Sequence, residues 1–319
     1  MNTIQLRMHI VFLDTKTVGD TDNLKELNEL GDVTFYPMTT SDQTAERIKK
    51  ADIVITNKVV LDGPLIRSAT QLKLICIAAT GMNNVDLEAA ENLGIPVMNV
   101  SGYAANSVAQ ATFAMILHLL QGVSFYDLYV KSGEYSKSDI FTNHDHPFWE
   151  LRDKRFGIIG MGTIGRKVAT VAEAFGCEVV YFSTSGKNSG QPHLQLSLRE
   201  LLKTSDIVSI HAPLNQNTAR LIGYEEISKM KKHALLINTG RGGIVVESEL
   251  ANALDENLIA GAALDVFEKE PISSDNPLLK IKQSEKLVMV PHIAWASIEA
   301  RRELIDGVIQ NIKRFMKES

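Results

Sequence analysis

Two groups of residues in this 319-residue chain have the types and spacing to do chemistry. The first is Gly160-Met161-Gly162-Thr163-Ile164-Gly165, a GxGxxG run that follows an apolar stretch ending at Ile159 and opens an amphipathic one, Thr163 to Phe175. Between a strand and a helix, such a run cradles a pyrophosphate. Its first glycine permits the tight turn, the second lets backbone approach the phosphates, the third lets helix and strand pack, and free N–H groups at the helix start face the anion. The second group is spread over the last third of the chain. Arg241 lies in Asn238-Thr239-Gly240-Arg241-Gly242-Gly243, Glu270 in Leu264-Asp265-Val266-Phe267-Glu268-Lys269-Glu270-Pro271, and His292 in Val290-Pro291-His292-Ile293-Ala294-Trp295. Each follows a short apolar run that reads as a strand, and open parallel sheets place their ligand crevice at strand carboxyl ends. A guanidinium grips anions through its planar fork, an imidazole gives and takes protons near neutral pH, and a carboxylate can orient an imidazole. Any one of the three alone reads as an ordinary loop residue, but the set with its glycine-rich loop is far more specific.

The nucleotide fingerprint departs from the usual pattern at one point. About 20 positions past the glycines, an acidic residue at the end of the second strand normally binds the adenosine ribose. Here the sequence reads Tyr181-Phe182-Ser183-Thr184-Ser185. With no carboxylate to repel a 2′-phosphate, Ser183, Thr184 and the nearby Lys187 have donors for one, while Ser183 alone suits the hydroxyls of an NAD ribose. NAD is the favoured reading, and NADP stays open.

Two alternating series position these groups. From residue 8 to residue 100, candidate strands at His9 to Leu13, Val33 to Tyr36, Asp52 to Thr56, Leu72 to Ala79 and Pro96 to Val100 alternate with helical stretches. Those stretches are Asn23 to Leu30, Gln43 to Lys50, Leu61 to Ser68 and Asp86 to Leu93, the last stopped by Gly94. This is the pattern of a parallel α/β sheet. One long connecting helix is expected from Asn106 to Lys131, with Val108, Ala111, Met115, Leu119 and Leu120 near a 3.6-residue repeat. After a polar stretch, a second series starts at Phe156, with strands at Glu178 to Phe182, Asp206 to Ile210, Ala234 to Ile237, Ala260 to Ala263 and Leu287 to Val290. It ends in a helix from Ser297 to Phe315. No repeat is visible, and the only biased segment is the short Ser/Gly/Asn stretch Ser183 to Gly190.

Composition removes several classes of function. The length suits two domains. Lys plus Arg (33) against Asp plus Glu (38) leaves a net charge of −5, with no basic tail or stripe for a phosphate backbone, so nucleic acid is not an expected partner. Cys76 and Cys177 each sit in an apolar run and form neither a disulfide framework nor a CxxC pair. The N-terminus lacks the regions of a signal peptide, and the longest apolar stretch, Ala111 to Leu120, is about half a membrane span and contains His118. No membrane association and a cytoplasmic location are expected. His144-Asp145-His146 has no third ligand in view, so no metal is expected.

With these motifs in place, the sequence resembles the D-isomer-specific 2-hydroxyacid dehydrogenases from about Asp52 to Lys313. Further motifs are similar to its glycerate dehydrogenase (hydroxypyruvate reductase) branch: Thr56-Asn57-Lys58-Val59, Ala79-Thr80-Gly81-Met82-Asn83-Asn84-Val85-Asp86, Tyr103 with Ser107-Val108-Ala109-Gln110, and Pro291-His292-Ile293-Ala294-Trp295-Ala296. The resemblance implies two doubly wound parallel-sheet α/β domains. One is a smaller, flavodoxin-like substrate domain made of residues 1–100 plus 293–319, and the other a Rossmann cofactor domain, 101–292, with the active site where they meet and a hinge that closes on the ligand. It further implies a homodimer built largely on the cofactor domain.

The same resemblance makes Arg241, Glu270 and His292 the catalytic residues, with Arg241, His292, Thr80 and Gly81 on the substrate. The glycine turn, Met161, Thr163, Ile164, Ser183, the His211-Ala212-Pro213 loop, Thr239 and Asp265 would border the cofactor, Asp265 having the alternative of capping the turn that follows it. Reducing a 2-keto acid needs a cationic anchor for the carboxylate, a proton donor for the carbonyl oxygen and a hydride held near the carbonyl carbon. Arg241 and His292 fit the first two needs, and Glu270 paired with His292 would extend reduction to higher pH. Hydroxypyruvate reduction to D-glycerate is the expected activity. D-Lactate, branched 2-hydroxyacid and 3-phosphoglycerate dehydrogenases remain alternatives, as does a non-catalytic NAD-sensing regulator.

Overall fold

The computed structural model describes residues 7–188 and 190–318. The start of the N-terminus, residues 1–6, and Ser189 within the Ser/Gly/Asn stretch lie outside the described residues, so the signal-sequence reading is not addressed there. The chain divides into two compact units, Met1–Ala104 with Ala296–Ser319, and Ala105–Trp295.

The first unit alternates β1 (His9–Phe12), β2 (Asp32–Phe35), α1 (Ser41–Ile48), β3 (Ile53–Thr56), α2 (Gly63–Ser68), β4 (Leu74–Ile77), α3 (Leu87–Asn92) and β5 (Val97–Asn99). All pairings are parallel, in the order β2-β1-β3-β4-β5, which is the flavodoxin-like arrangement. Every residue of β3 and β4 is buried, because a parallel sheet is covered on both faces and its central strands run continuously apolar. The carboxylates of Asp62 and Asp86 accept the N–H of Leu65 and Ala89 and start α2 and α3. The C-terminal helix, Ile298–Glu318, buries Ala300, Leu304, Ile305, Val308, Ile309 and Ile312 along one stripe. Gly307 lets it lie against Val100, where a Cβ would come within 2.4 Å of Cγ1, and Asn311 donates to the Asn99 carbonyl at 2.9 Å. The helix expected at Asn23 to Leu30 is instead a 3-10 turn, Leu24–Glu29. Only Leu27 is buried there, so no apolar stripe holds a longer α-helix against the sheet.

The second unit begins with α4 (Ala105–Gln121) and α5 (Val123–Lys131) and continues through β6 (Arg155–Ile159), α6 (Thr163–Ala174), β7 (Glu178–Phe182), β8 (Leu194–Gln195), α7 (Leu198–Thr204), β9 (Ile207–Ile210), α8 (Tyr224–Ser228), β10 (Leu235–Asn238), α9 (Glu247–Asp255), β11 (Gly261–Leu264) and β12 (Leu287–Met289). Its sheet is also wholly parallel, in the order β12-β11-β10-β9-β6-β7-β8. Strand order reverses at β6, which lies between β7 and β9, and a ligand crevice is expected at the carboxyl ends of that switch point. The two-residue β8, exposed along its length, has too little apolar pattern to be read from sequence.

The single helix expected from Asn106 to Lys131 is two helices bent by 57°. Gly122 sits between them at φ +58, a left-handed conformation that ends the helical hydrogen-bond ladder, and the His146 ring occupies the space a Cβ would need. The halves then diverge in character: α4 buries Val108, Ala109, Thr112, Phe113, Met115, Ile116 and Leu120, while no residue of α5 is buried. Among the described residues no single helix is long and apolar enough to cross a membrane.

Candidate active site

The glycine turn joins β6 to α6 at the switch point. Gly160 has φ +97, and a Cβ there would lie 2.9 Å from the Ala212 backbone, so this turn and the His211-Ala212-Pro213 loop approach each other as only glycine allows. A Cβ on Gly165 would lie 2.2 Å from the Gly160 carbonyl oxygen, which makes it the close-packing glycine. Around Gly162, the N-cap of α6, nothing lies within 4 Å of the Cβ position, leaving an open backbone face. Met161 is buried beneath the turn, Thr163 is exposed and Ile164 is half-buried at the start of α6. At the end of β7 the Ser183 hydroxyl is buried and has no hydrogen-bond partner within the protein. A buried hydroxyl without a partner is costly unless a ligand or water meets it. These features fit a dinucleotide: the open Gly162 face and the α6 N-terminus for the pyrophosphate, Ser183 for the adenosine ribose.

The next loops to the other side carry polar groups that tie the crevice together. His211 Nε2 lies 2.9 Å from Ser209 Oγ and its Nδ1 lies 3.1 Å from Thr239 Oγ1, which in turn meets Thr112 Oγ1 at 3.3 Å. Burial pushes the His211 imidazole down to about 3, so the ring is neutral at ordinary pH. Ala212 is buried, and Pro213 is exposed, its carbonyl accepting the Thr218 hydroxyl at 2.6 Å. After β10, the Asn238 side chain accepts the Gly240 N–H at 3.0 Å and donates to the Arg241 carbonyl at 3.0 Å, so the loop bearing the half-buried Arg241 is tightly wound. The guanidinium donates to the Gly240 carbonyl at 2.8 Å.

Glu270 and His292 are brought into direct contact. His292 Nδ1 lies 2.7 Å from Glu270 Oε2, and Glu270 Oε1 accepts the Phe267 N–H at 3.0 Å. His292 itself has φ +54, a conformation unusual outside glycine, and Asp265 maintains it. The Asp265 carboxylate is 1% exposed and accepts the Ile293 N–H at 2.7 Å and the Ala294 N–H at 3.0 Å. Burial pushes its carboxyl up to about 6, against the pull of those N–H groups and of the neighbouring His292. Asp265 thus caps the turn that presents His292.

In the first unit, Thr80 and Gly81 follow β4. The Thr80 hydroxyl donates to the Val100 carbonyl at 3.0 Å and Asn99 donates to the Thr80 carbonyl at 2.7 Å, so this exposed stretch is pinned from β5. One residue not singled out from the sequence is Asp14, at the switch point between β1 and β3. It is fully buried and accepts the N–H groups of Asn57, Lys58 and Val59 at 2.9, 2.6 and 3.2 Å. Burial raises its carboxyl, opposed by these three bonds. An acidic residue directly after a buried strand was the available signal. The His144-Asp145-His146 run goes elsewhere: the His146 ring packs on Phe125 and Tyr126, and Asp145 is bonded to Asn143. Among the described residues no three His, Cys, Asp or Glu side chains are placed to share a metal ion.

A parallel α/β sheet with a glycine turn at its switch point and polar loops beside it marks the larger unit as a dinucleotide-binding domain. Residues 113–294 match the family model described as D-isomer specific 2-hydroxyacid dehydrogenase, NAD binding domain. The chain is 35% identical to the glycerate dehydrogenase of Methylorubrum extorquens over 308 residues, 96% of this chain and 96% of that one. It is likewise 35% identical to the hydroxypyruvate reductase of Blautia hydrogenotrophica over 98% of both chains. Among solved structures, the D-lactate dehydrogenase of Aquifex aeolicus complexed with NAD and lactic acid aligns with a TM-score of 0.83 at 27% identity, covering 97% of this chain and 96% of that one. The chain belongs to the D-isomer-specific 2-hydroxyacid dehydrogenase family. The resemblance drawn from the motifs and the pair of parallel α/β domains expected from it are both confirmed.

Proposed function

We propose that this protein is an NADH-linked reductase that converts hydroxypyruvate to D-glycerate, with Arg241, Glu270 and His292 as its catalytic residues. The observation that carries the reading is the His292–Glu270 contact at 2.7 Å, set on the carboxyl side of the NAD-binding sheet. The bound nicotinamide supplies the hydride. Arg241 holds the substrate's carboxylate and carbonyl oxygen through its fork, with Thr80 and Gly81 as further carboxylate contacts. His292, its Nδ1 committed to Glu270, delivers a proton from Nε2 to the carbonyl oxygen and takes it back in the oxidation direction. Neutral His211 and Thr239 shape the cofactor side of the crevice without adding charge. The choice of hydroxypyruvate is supported by the names of the two relatives matched over nearly the whole chain.

A cytoplasmic homodimer completes the proposal. Cys76 and Cys177 are free and buried, in keeping with a reducing compartment. The α5 helix and the segment after it expose Phe125, Leu128, Val130, Ile140 and Phe141, Leu128 at 67% and Phe141 at 89%. Tyr126 ties the two stretches together by donating to the His146 carbonyl at 3.0 Å, and an apolar surface of this kind is what a second copy would cover. Chiral analysis of the product formed from hydroxypyruvate and NADH tests the catalytic part: D-glycerate is expected, and L-glycerate or no product would overturn it.

A further inference from the structure

Val266 and Phe267 are buried, and beyond them the exposed part of the loop that carries Glu270 is held by two carboxylates. Glu247, the first residue of α9, is 5% exposed, and its Oε1 accepts the Glu268 N–H at 2.6 Å. Glu268 returns the bond, its Oε1 accepting the Glu247 N–H at 3.1 Å. The second oxygen of Glu247 accepts the Asn276 amide at 2.5 Å, and Asn276 spends its own oxygen on the Leu278 N–H at 2.9 Å. The Phe267–Glu268 peptide inside this clamp also meets the Arg241 loop. A Cβ on Gly242 would lie 1.7 Å from the Phe267 carbonyl oxygen, so the two loops touch backbone to backbone. One residue earlier, the Phe267 N–H holds Glu270. A cavity of about 260 Å³ borders the clamp itself, with Glu247, Glu268 and Asn276 in its lining beside Ser248, Lys269 and Asp275.

We infer that Glu247 is a positioning residue for the reaction, whose clamp on Glu268 sets the Phe267–Glu270 loop so that Glu270 meets His292 while Gly242 keeps the Arg241 loop in register. The inference rests on the catalytic reading above. Without the Glu247 acceptor, the Glu268 N–H loses its partner in the protein and turns to water in the cavity, which frees the loop to shift. Glu270 then leaves His292, and misplacements of about 1 Å cost roughly 10²-fold in such sites.

The test exploits the polarity of the clamp. In Glu247→Gln, the single amide oxygen can meet the Glu268 N–H or the Asn276 amide but not both, and when it turns to Asn276 its NH2 faces the Glu268 N–H. Adding Asn276→Asp reverses the second bond, because the new carboxylate accepts from the amide and still accepts the Leu278 N–H. Crystal structures of the wild type, Glu247→Gln and Glu247→Gln/Asn276→Asp are compared with kcat/KM for hydroxypyruvate across pH. The single variant is expected to lose the Glu270–His292 hydrogen bond and about 10- to 100-fold in kcat/KM, with NADH affinity unchanged. The double variant is expected to recover both. A single variant that keeps the hydrogen bond, or a loss that the double substitution does not reverse, would overturn the role of Glu247. Wild-type inactivity with every 2-keto acid would instead overturn the catalytic reading, and the crystal structures would still decide whether the clamp sets the pair.

Discussion

His292 and Glu270 are joined by a hydrogen bond of 2.7 Å, and the second oxygen of Glu270 is anchored on the Phe267 N–H at 3.0 Å. The imidazole therefore has one nitrogen assigned to a fixed partner, which leaves Nε2 for the proposed proton transfer. Replacing His292 with Ala should lower kcat by about 10²- to 10⁴-fold. Glu270→Gln, which keeps a hydrogen-bond acceptor but removes the charge, should lower it less. NADH affinity, read by fluorescence titration, should stay within about twofold of the wild type in both, since neither lies in the glycine turn. Unchanged turnover in His292→Ala would remove His292 from the mechanism.

The glycines of the turn separate folding from binding. Gly162→Ala places its methyl in open space, so Tm should hold while NADH affinity falls at least about tenfold, equivalent to 1.4 kcal/mol. Gly165→Ala places its methyl 2.2 Å from the Gly160 carbonyl, so it should lower Tm and binding together. Thermal melts with and without NADH distinguish the two patterns. Equal behaviour of the two variants would mean that the open face at Gly162 is not where the pyrophosphate lies.

His211 makes the larger unit sensitive to acid. Folded, its ring stays neutral down to about 3, whereas unfolded it takes a proton near the ordinary 6.5. The unfolded state thus binds more protons in that window, and stability falls as pH drops from 6.5 toward 3. By pH 4.5 this amounts to as much as about 3 kcal/mol. His211→Asn should be less stable than the wild type at pH 7, having lost bonds to Ser209 and Thr239, and should show a flatter decline toward pH 4.5 in urea unfolding. Parallel curves for the two proteins would show that His211 does not carry the effect.

The exposed face of α5 gives a test of assembly. Leu128→Asp combined with Phe141→Asp should convert a dimer to a monomer in light scattering after size-exclusion chromatography, with the fold retained because both side chains lie outside the core. A monomeric wild type, or a variant that remains dimeric, would place the interface elsewhere.

Much of this was legible in the chain because local pattern and tertiary outcome agree. The apolar runs of β3, β4, β9 and β10 sit in parallel sheets covered on both faces, where no alternation competes with the strand signal. The glycine turn could be read residue by residue, since each glycine answers a different steric demand. What escaped was set by conformation rather than by composition. Gly122 breaks a helix whose apolar repeat runs through it, and its left-handed φ leaves no trace in periodicity. Asp14 and Glu247 hold backbone N–H groups of loops distant in sequence, and a buried carboxylate with such partners reads from sequence as an ordinary surface charge. Arg241, Glu270 and His292 were singled out through the motifs around them, while the Glu270–His292 contact and the backbone contact of Gly242 with Phe267 came only with the fold.

The most direct measurement is the initial rate of NADH and NADPH oxidation in parallel with hydroxypyruvate, glyoxylate, pyruvate, 2-ketoisocaproate and phosphohydroxypyruvate. The expected result is the highest kcat/KM with hydroxypyruvate and NADH, falling by about 10² or more in His292→Ala. A clear preference for a branched or phosphorylated keto acid, or no oxidation of either cofactor with any of the five, would contradict it.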